Sequence, residues 1–182
     1  MPDRHGRPRI LLISASHFEP DGRVARVERY WTSGLTLVHL EALTPPDFSV
    51  ELVDDFRREP PRDTDADLVG ITAMGLQIGR AYGLADHYRA RGLPVVMGGE
   101  WVSLNPEQAL EHCDAVVKGE AEYAWPELLA DFRRGGFARR IYQGEKLHDL
   151  AGLPRPNLDH LPLWRPELMR ERVYREYYFQ FP

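Results

Sequence analysis

Cysteine is almost missing from this sequence of 182 residues: Cys113 stands alone. A single thiol excludes an internal disulfide framework. It also excludes a zinc or iron–sulfur site built from the cysteines of one chain. Long apolar runs are missing too; none is long enough to span a bilayer. The polar, basic stretch 1–9 leads into no apolar segment of signal-peptide type. A cytoplasmic protein is the expectation from these absences. The seven histidines form no HxH or HxxxH pair, so the spacing supports no metal site. Glycine is absent from the turn after the first apolar run until Gly22, which excludes a GxGxxG dinucleotide loop there.

What is present is ordinary globular composition, with 43% hydrophobic and 28% charged residues. At about 150 residues per domain, the length fits one domain and a short extension. Charge is uneven. Residues 1–132 hold 13 Lys/Arg against 22 Asp/Glu, a net of −9, and residues 133–182 hold 10 against 6, a net of +4. An acidic body repels phosphate backbones, which argues against nucleic acid as the main partner. The basic end is studded with Tyr174, Tyr177, Tyr178, Phe179 and Phe181. It reads as a solvated strap on the acidic body or as a docking segment for another protein, with RNA binding the weakest of its readings.

Short apolar runs at 9–14, 50–54, 68–73, 94–98 and 114–118 read as five buried parallel strands. Helical spacing fills the gaps. Leu35, Val38 and Ala42 share a face, and Ile78, Ala81, Tyr82, Ala85 and Tyr88 keep a helical stripe that Gly92 ends. Asn105-Pro106-Glu107 opens a short helix, and Pro126 is expected to start another that stops at Gly135-Gly136. The stretch 55–67 has no apolar face and reads as a loop. Strand–helix alternation predicts an α/β, flavodoxin-like (Rossmann-like) open five-stranded parallel sheet, order 2-1-3-4-5, with helices on both faces. The predicted domain covers residues 1–144. Residues 145–182 read as an extended linker, with three prolines between Leu153 and Pro162, followed by the basic, aromatic tail. A short helix is expected within 165–178.

Ligands of such sheets sit outside the carboxyl ends of the strands. The layout therefore singles out residues 14–17, 54, 72–75, 98–101 and 119–122. Gly98-Gly99 reads either as a tight turn or as backbone that a ligand approaches closely, with Gly75 and Gly79 widening the same crevice. Thr72 offers a hydroxyl at a strand tip or a cap. A phosphate-receiver site is excluded, because the acids Asp54 and Asp55 follow strand 2 while strand 1 ends in Ser14-Ala15-Ser16. Ser16, His17 and Asp21 form no nucleophile elbow.

In order, RILLISAS at 9–16, PDGR at 20–23, VELVDD at 50–55, DADLVGITAM at 65–74, RGLPVVMGGEWVSLNPEQAL at 91–110, DAVVKGEAEYAWPELLADF at 114–132 and LAGLPRPNLDHLP at 150–162 resemble one family. It is the N-terminal cobalamin (vitamin B12)-binding domain of cobalamin-dependent, class B radical S-adenosylmethionine (SAM) enzymes. The resemblance covers about residues 9–162. It implies that Ser14, Ala15, Ser16, His17, Asp54, Thr72, Ala73, Met74, Gly75, Gly98, Gly99, Glu100, Gly119 and Glu120 hold cobalamin. Many cobalamin domains carry DxHxxG after strand 1, with the His beneath cobalt. Here that turn reads Ser14-Ala15-Ser16-His17-Phe18-Glu19, which leaves the lower axial position unassigned; His17 lies on the right turn but outside that spacing, and reads as a solvated loop histidine or as a cobalt ligand.

The family's catalytic half begins with CxxxCxxC, which this sequence does not contain. SAM and a [4Fe–4S] cluster are therefore implied only for a parent enzyme, a methyltransferase in which this chain is the cofactor-holding module and is not catalytic alone. A radical SAM catalytic domain is the implied partner, with no nucleic acid and no membrane. The alternative is a degenerate flavodoxin-like domain that binds no cobalamin and acts as a protein-interaction module through its tail.

Overall fold

The computed structural model describes residues 6–26, 34–146, 149 and 151–160. Strands β1 (Arg9–Ser14), β2 (Ser49–Asp54), β3 (Leu68–Thr72), β4 (Val95–Gly98), β5 (Ala115–Lys118) and β6 (Ile141–Gln143) form one sheet in the order β2-β1-β3-β4-β5-β6. Every neighbouring pair is parallel. The predicted order 2-1-3-4-5 is thus present, and a sixth strand extends it. β6 has only three residues and no apolar run to announce it. It is held from the side instead: the buried Tyr142 donates its hydroxyl to Asp131 at 2.6 Å.

Helices α1 (Thr36–Leu43), α2 (Ile78–Ala90), α3 (Glu100–Leu104), α4 (Pro106–His112) and α5 (Ala121–Arg133) connect the strands. Alternate strand residues face opposite layers. Leu11, Ile13, Val69, Ile71, Met97 and Val116 pack with Ala81, Ala85, Tyr88 and Ala109 on one side. Ile10, Leu12, Leu68, Val96, Ala115 and Val117 pack with Leu37, Trp125, Leu128 and Leu129 on the other. Both faces are therefore closed, which is why the strands read as continuous apolar runs. A Cβ at Gly70 would stand 2.7 Å from Leu12 Cδ2 and 3.5 Å from Trp125 Cη2, so the bare glycine gives Leu12 its room beneath the Trp125 ring. The indole N–H of Trp125 donates to Thr44 Oγ1 at 2.9 Å.

Two helix expectations change. Pro126 does not start α5; it lies inside it, five residues after Ala121. A proline there forfeits one intrahelical bond, and the apolar face of Ala124, Trp125, Leu128 and Leu129 carries the helix across the gap. The five-residue α3 was not foreseen, since its one buried residue, Val102, leaves no periodic stripe. Residues 55–67 contain no helix or strand, as expected. The proline-rich stretch shows one 3₁₀ turn, Leu158–His160, with His160 against Glu41. The helix expected within 165–178 lies outside the described residues. Cys113 is fully buried, as a small apolar side chain, and burial pushes its thiol up to about 12.

Candidate functional site at the carboxyl edge

Parallel register brings the strand ends to one edge: Ser14 lies opposite both Asp54 and Thr72, and Thr72 lies opposite Gly98. The residues singled out from the layout therefore converge along this edge, but they do not all face outward. Ala15, Ser16 and Ala73 are buried, with exposures of 0%, 0% and 2%. Asp54 is buried as well, and its Oδ1 accepts the Phe56 N–H at 2.9 Å, which closes the turn after β2. Ser14, His17, Thr72, Gly98 and Gly99 are half-buried, and Met74, Gly75, Glu100, Gly119 and Glu120 are exposed. His17 stands edge-on to Phe56, ring centroids 5.5 Å apart, with Glu19 3.8 Å from its Nε2.

The glycines divide into two kinds. Gly99 has φ 103, and a Cβ there would lie 2.5 Å from Ala73 O and 2.9 Å from Thr72 Oγ1. The close approach that Gly99 permits is therefore the chain's own, between the ends of β4 and β3. Gly144 is similar and was not singled out: its Cβ would fall 1.8 Å from Glu120 O. Gly75, Gly79 and Gly98 show no such need. None has a left-handed φ; Gly98 would meet nothing nearer than Val117 O at 3.5 Å, Gly75 nothing nearer than the Trp101 ring at 3.5 Å, and Gly79 nothing within 4 Å. Glycine in the first turn of α2 costs about 0.5–1 kcal/mol relative to Ala. Internal packing does not account for these three, and their missing side chains leave the edge low and open.

Around that opening stand exposed apolar side chains. Seven large ones are exposed among the described residues. Phe18, Met74, Leu76, Leu104 and Tyr123 lie in the connections that leave β1, β3, β4 and β5, and Leu35 opens α1 at the same edge. The seventh, Leu158, lies apart. Leu76 is 86% exposed, yet its turn is held firmly: Gln77, itself buried, accepts the Met74 N–H at 2.8 Å. Ser103 fixes α3 across the ends of β4 and β5 by donating to Gly99 O at 2.8 Å and accepting the Gly119 N–H at 2.9 Å. Of this rim, the sequence reading had singled out Met74 alone. Single apolar residues in connections carry no period, so no sequence signal separates them from ordinary loop residues.

Beneath the β1–β3 end of the edge lies an ion cluster built on the buried pair Asp55–Arg80, with Arg26 and Glu59 partly exposed at its outer side. Asp55 is fully buried; its Oδ2 accepts the Ser16 hydroxyl at 3.1 Å and Arg80 Nε at 2.9 Å. Arg80 also reaches Asp55 Oδ1 at 3.1 Å and Glu59 Oε1 at 2.9 Å. Arg26 lies 3.3 Å from Asp55 and also pairs with Glu59. Burial alone would lower the Arg80 pKa, but the bonds and charges of Asp55 and Glu59 outweigh it and raise it above the usual arginine value. Arg80 and Glu59 could have been suspected only from the Asp54-Asp55 doublet, which demanded a partner for whichever acid was buried.

Among the described residues no group of three or more His, Cys, Asp or Glu could hold a metal ion. No helix among them is long and apolar enough to cross a membrane. What the carboxyl edge offers instead is bare glycine at 75, 79 and 98 and a set of exposed apolar side chains.

The family model described as B12 binding domain matches residues 33–129. Bacteriochlorophyllide d C-8(2)-methyltransferase of Chlorobaculum tepidum is 47% identical over 93 residues, 50% of this chain and 21% of that protein. Bacteriochlorophyllide d C-12(1)-methyltransferase of the same organism is 30% identical over 125 residues, 68% of this chain and 27% of that protein. An uncharacterised methyltransferase of Pyrococcus horikoshii is 27% identical over 169 residues, 78% of this chain and 35% of that protein. The chain thus spans between about a fifth and a third of the length of these relatives.

Proposed function

Given that the chain belongs to the B12 binding domain family, we propose that its carboxyl edge holds cobalamin for a methyltransferase of the radical SAM type. The observation that carries this reading is the platform itself: Gly75, Gly79 and Gly98 kept bare without internal need, and Phe18, Leu35, Met74, Leu76, Leu104 and Tyr123 exposed around them. Large apolar side chains left in water at one edge mark a binding surface. When bound, cobalamin supplies an organometallic methyl carrier; its cobalt chemistry belongs to the cofactor.

The chain's residues bind and orient. Met74, Leu76 and Tyr123 would cover the apolar flank of the macrocycle and exclude water from it. The low strand ends at Thr72 and Gly98 would let it lie close to the sheet. Among the described residues His17 stands at the β1 end, with Glu19 beside its Nε2, and would be the candidate protein ligand to the cobalt. Ala15, Ser16, Ala73 and Asp54 would act from below, by shaping the backbone that the ligand touches. Residues 1–144 form the binding domain in this reading. The segment from 145 onward leads toward a radical SAM catalytic domain, which would carry SAM and the [4Fe–4S] cluster.

Titration of the purified chain with hydroxocobalamin, followed by desalting, tests the reading. A corrin spectrum retained at about one per chain is expected. A colourless protein would refute it and favour a protein-interaction module. Substituting His17 by Ala separates the axial assignment from binding: altered cobalt-centred bands with retained cofactor are expected if His17 is the ligand, and unchanged bands remove it.

A further inference from the structure

Resting on the reading of this edge as a cobalamin site, we propose that Asp55 is its positioning residue, the group that, among the described residues, ties together the three connections bordering the switch point between β1 and β3. Ser16 comes from the turn after β1 and Arg26 from the loop that follows it. Glu59 comes from the loop after β2, and Arg80 from the helix after β3. Ser16, Arg26 and Arg80 converge on one carboxylate that has no contact with solvent, and Glu59 joins through the two guanidiniums. Exposed ion pairs hold little; this one is buried, and breaking it strands a guanidinium inside the protein.

The cluster holds two carboxylates, Asp55 and Glu59, and two guanidiniums, Arg26 and Arg80, with the exposed Arg62 3.8 Å from Glu59 on its outer side. Both carboxylates are already paired within it, so its output is geometry. Asp55 accepts both the backbone N–H of Ser16, at 3.2 Å, and its hydroxyl. Ser16 is thereby pinned inward, and His17, next in the chain, stands partly open to solvent against Phe56. The loop then returns, with the Ala25 N–H donating to His17 O at 2.8 Å, and Arg26 closes it onto Asp55 and Glu59. Asp55 touches no outward-facing position itself; it acts through Ser16 and Arg26.

The test uses the full chain with Asp55→Asn, which keeps the shape and removes the charge. Two quantities are read: backbone hydrogen exchange, segment by segment, and the Kd for hydroxocobalamin from its visible bands. The unsubstituted chain is titrated first; if it binds nothing, the cobalamin reading fails, and exchange alone still decides the role of Asp55. The expected result is exchange at least tenfold faster across residues 15–26 and 55–62, with β4 and β5 unchanged, and a Kd raised tenfold or more. Exchange within twofold of the original across 15–26, equal loss of protection in every strand, or an unchanged Kd in a chain that binds would overturn the proposal. If Asp55→Asn does not fold, Arg26→Met decides, because it leaves the buried Asp55–Arg80 pair whole. Faster exchange across 18–26 with β1 unchanged, and a Kd raised threefold or more where the chain binds, is then expected; unaltered exchange refutes it.

Discussion

The two ends of the sheet use glycine and charge in different ways. At the amino edge, Gly92 follows α2 and Gly135-Gly136 follow α5, all with positive φ and with nothing within 4 Å of an added Cβ. They stop helices, and their surroundings are indifferent to them. A groove there, lined by Leu93, Pro94, Phe132 and Phe137, is crossed by the half-exposed pair Arg89–Asp114. At the carboxyl edge, Gly99 and Gly144 touch neighbouring backbone, while Gly75, Gly79 and Gly98 touch nothing that needs them. The Asp55–Arg80 pair there is buried, and the apolar side chains are exposed. Inversion of the usual arrangement, charge inside and hydrophobes outside, is what supports the proposal that the carboxyl edge is the working one.

Substituting glycines at the two ends should break this contrast most sharply. Gly99→Val places a branched side chain into Ala73 O and Thr72 Oγ1, and the expected result is failure to reach the native fold, seen as loss of the cooperative thermal transition. Gly92→Ala meets no atom and bears only left-handed strain, about 1–2 kcal/mol in a denaturant titration. Equal losses at the two sites would refute the distinction.

The exposed rim comes next in size. Leu76→Ser removes an 86% exposed side chain, so stability should hold within about 0.5 kcal/mol. Cobalamin affinity should fall by up to about tenfold, the effect of losing roughly 1.5 kcal/mol of apolar burial. A Kd that does not move takes Leu76 out of the platform.

Gly98→Ala and Gly79→Ala sharpen the same point from the other side. Both sites have room for a methyl group. Gly79→Ala should raise stability by about 0.5–1 kcal/mol, and Gly98→Ala should leave the melting curve nearly unchanged. Either should weaken cobalamin retention after desalting. Full retention in both would return these glycines to a purely local role.

The smallest effect belongs to the β6 side, away from the site. Tyr142 donates to Asp131, and that bond, with Arg134 beside it, holds the Asp131 carboxyl below its usual value of 3.8. A depressed folded value means that the stabilisation is present at neutral pH and is lost as pH falls through it. Tyr142→Phe should therefore be less stable than the original chain at pH 7, and the gap should narrow below about pH 3.8, the unperturbed value. A gap independent of pH would assign the effect to packing alone.

Much of this was readable beforehand, and the reason is physical. Buried parallel strands must be apolar on both faces, so β1 to β5 stood out as runs, and their alternation with helical stripes determined the layers and the order 2-1-3-4-5. Topology alone then placed the edge residues, since ligands of such sheets collect at the carboxyl ends. Three things the sequence by itself could not determine. The first is β6, whose three residues are held by a contact between Tyr142 and Asp131 rather than by their own pattern. The second is the meaning of each glycine: Gly98 and Gly99 are neighbours and look alike, yet a Cβ at Gly99 would run into Ala73 and Thr72 at the end of β3, while one at Gly98 would meet Val117 only at ordinary contact distance. The third is which acid of the Asp54-Asp55 pair does what. Asp54 caps its own turn, a local bond that spacing can suggest, whereas Asp55 meets Arg80 across 25 residues and Ser16 across 39. Period and composition report on neighbours along the chain; which distant side chains share a buried space is decided when the layers close on one another.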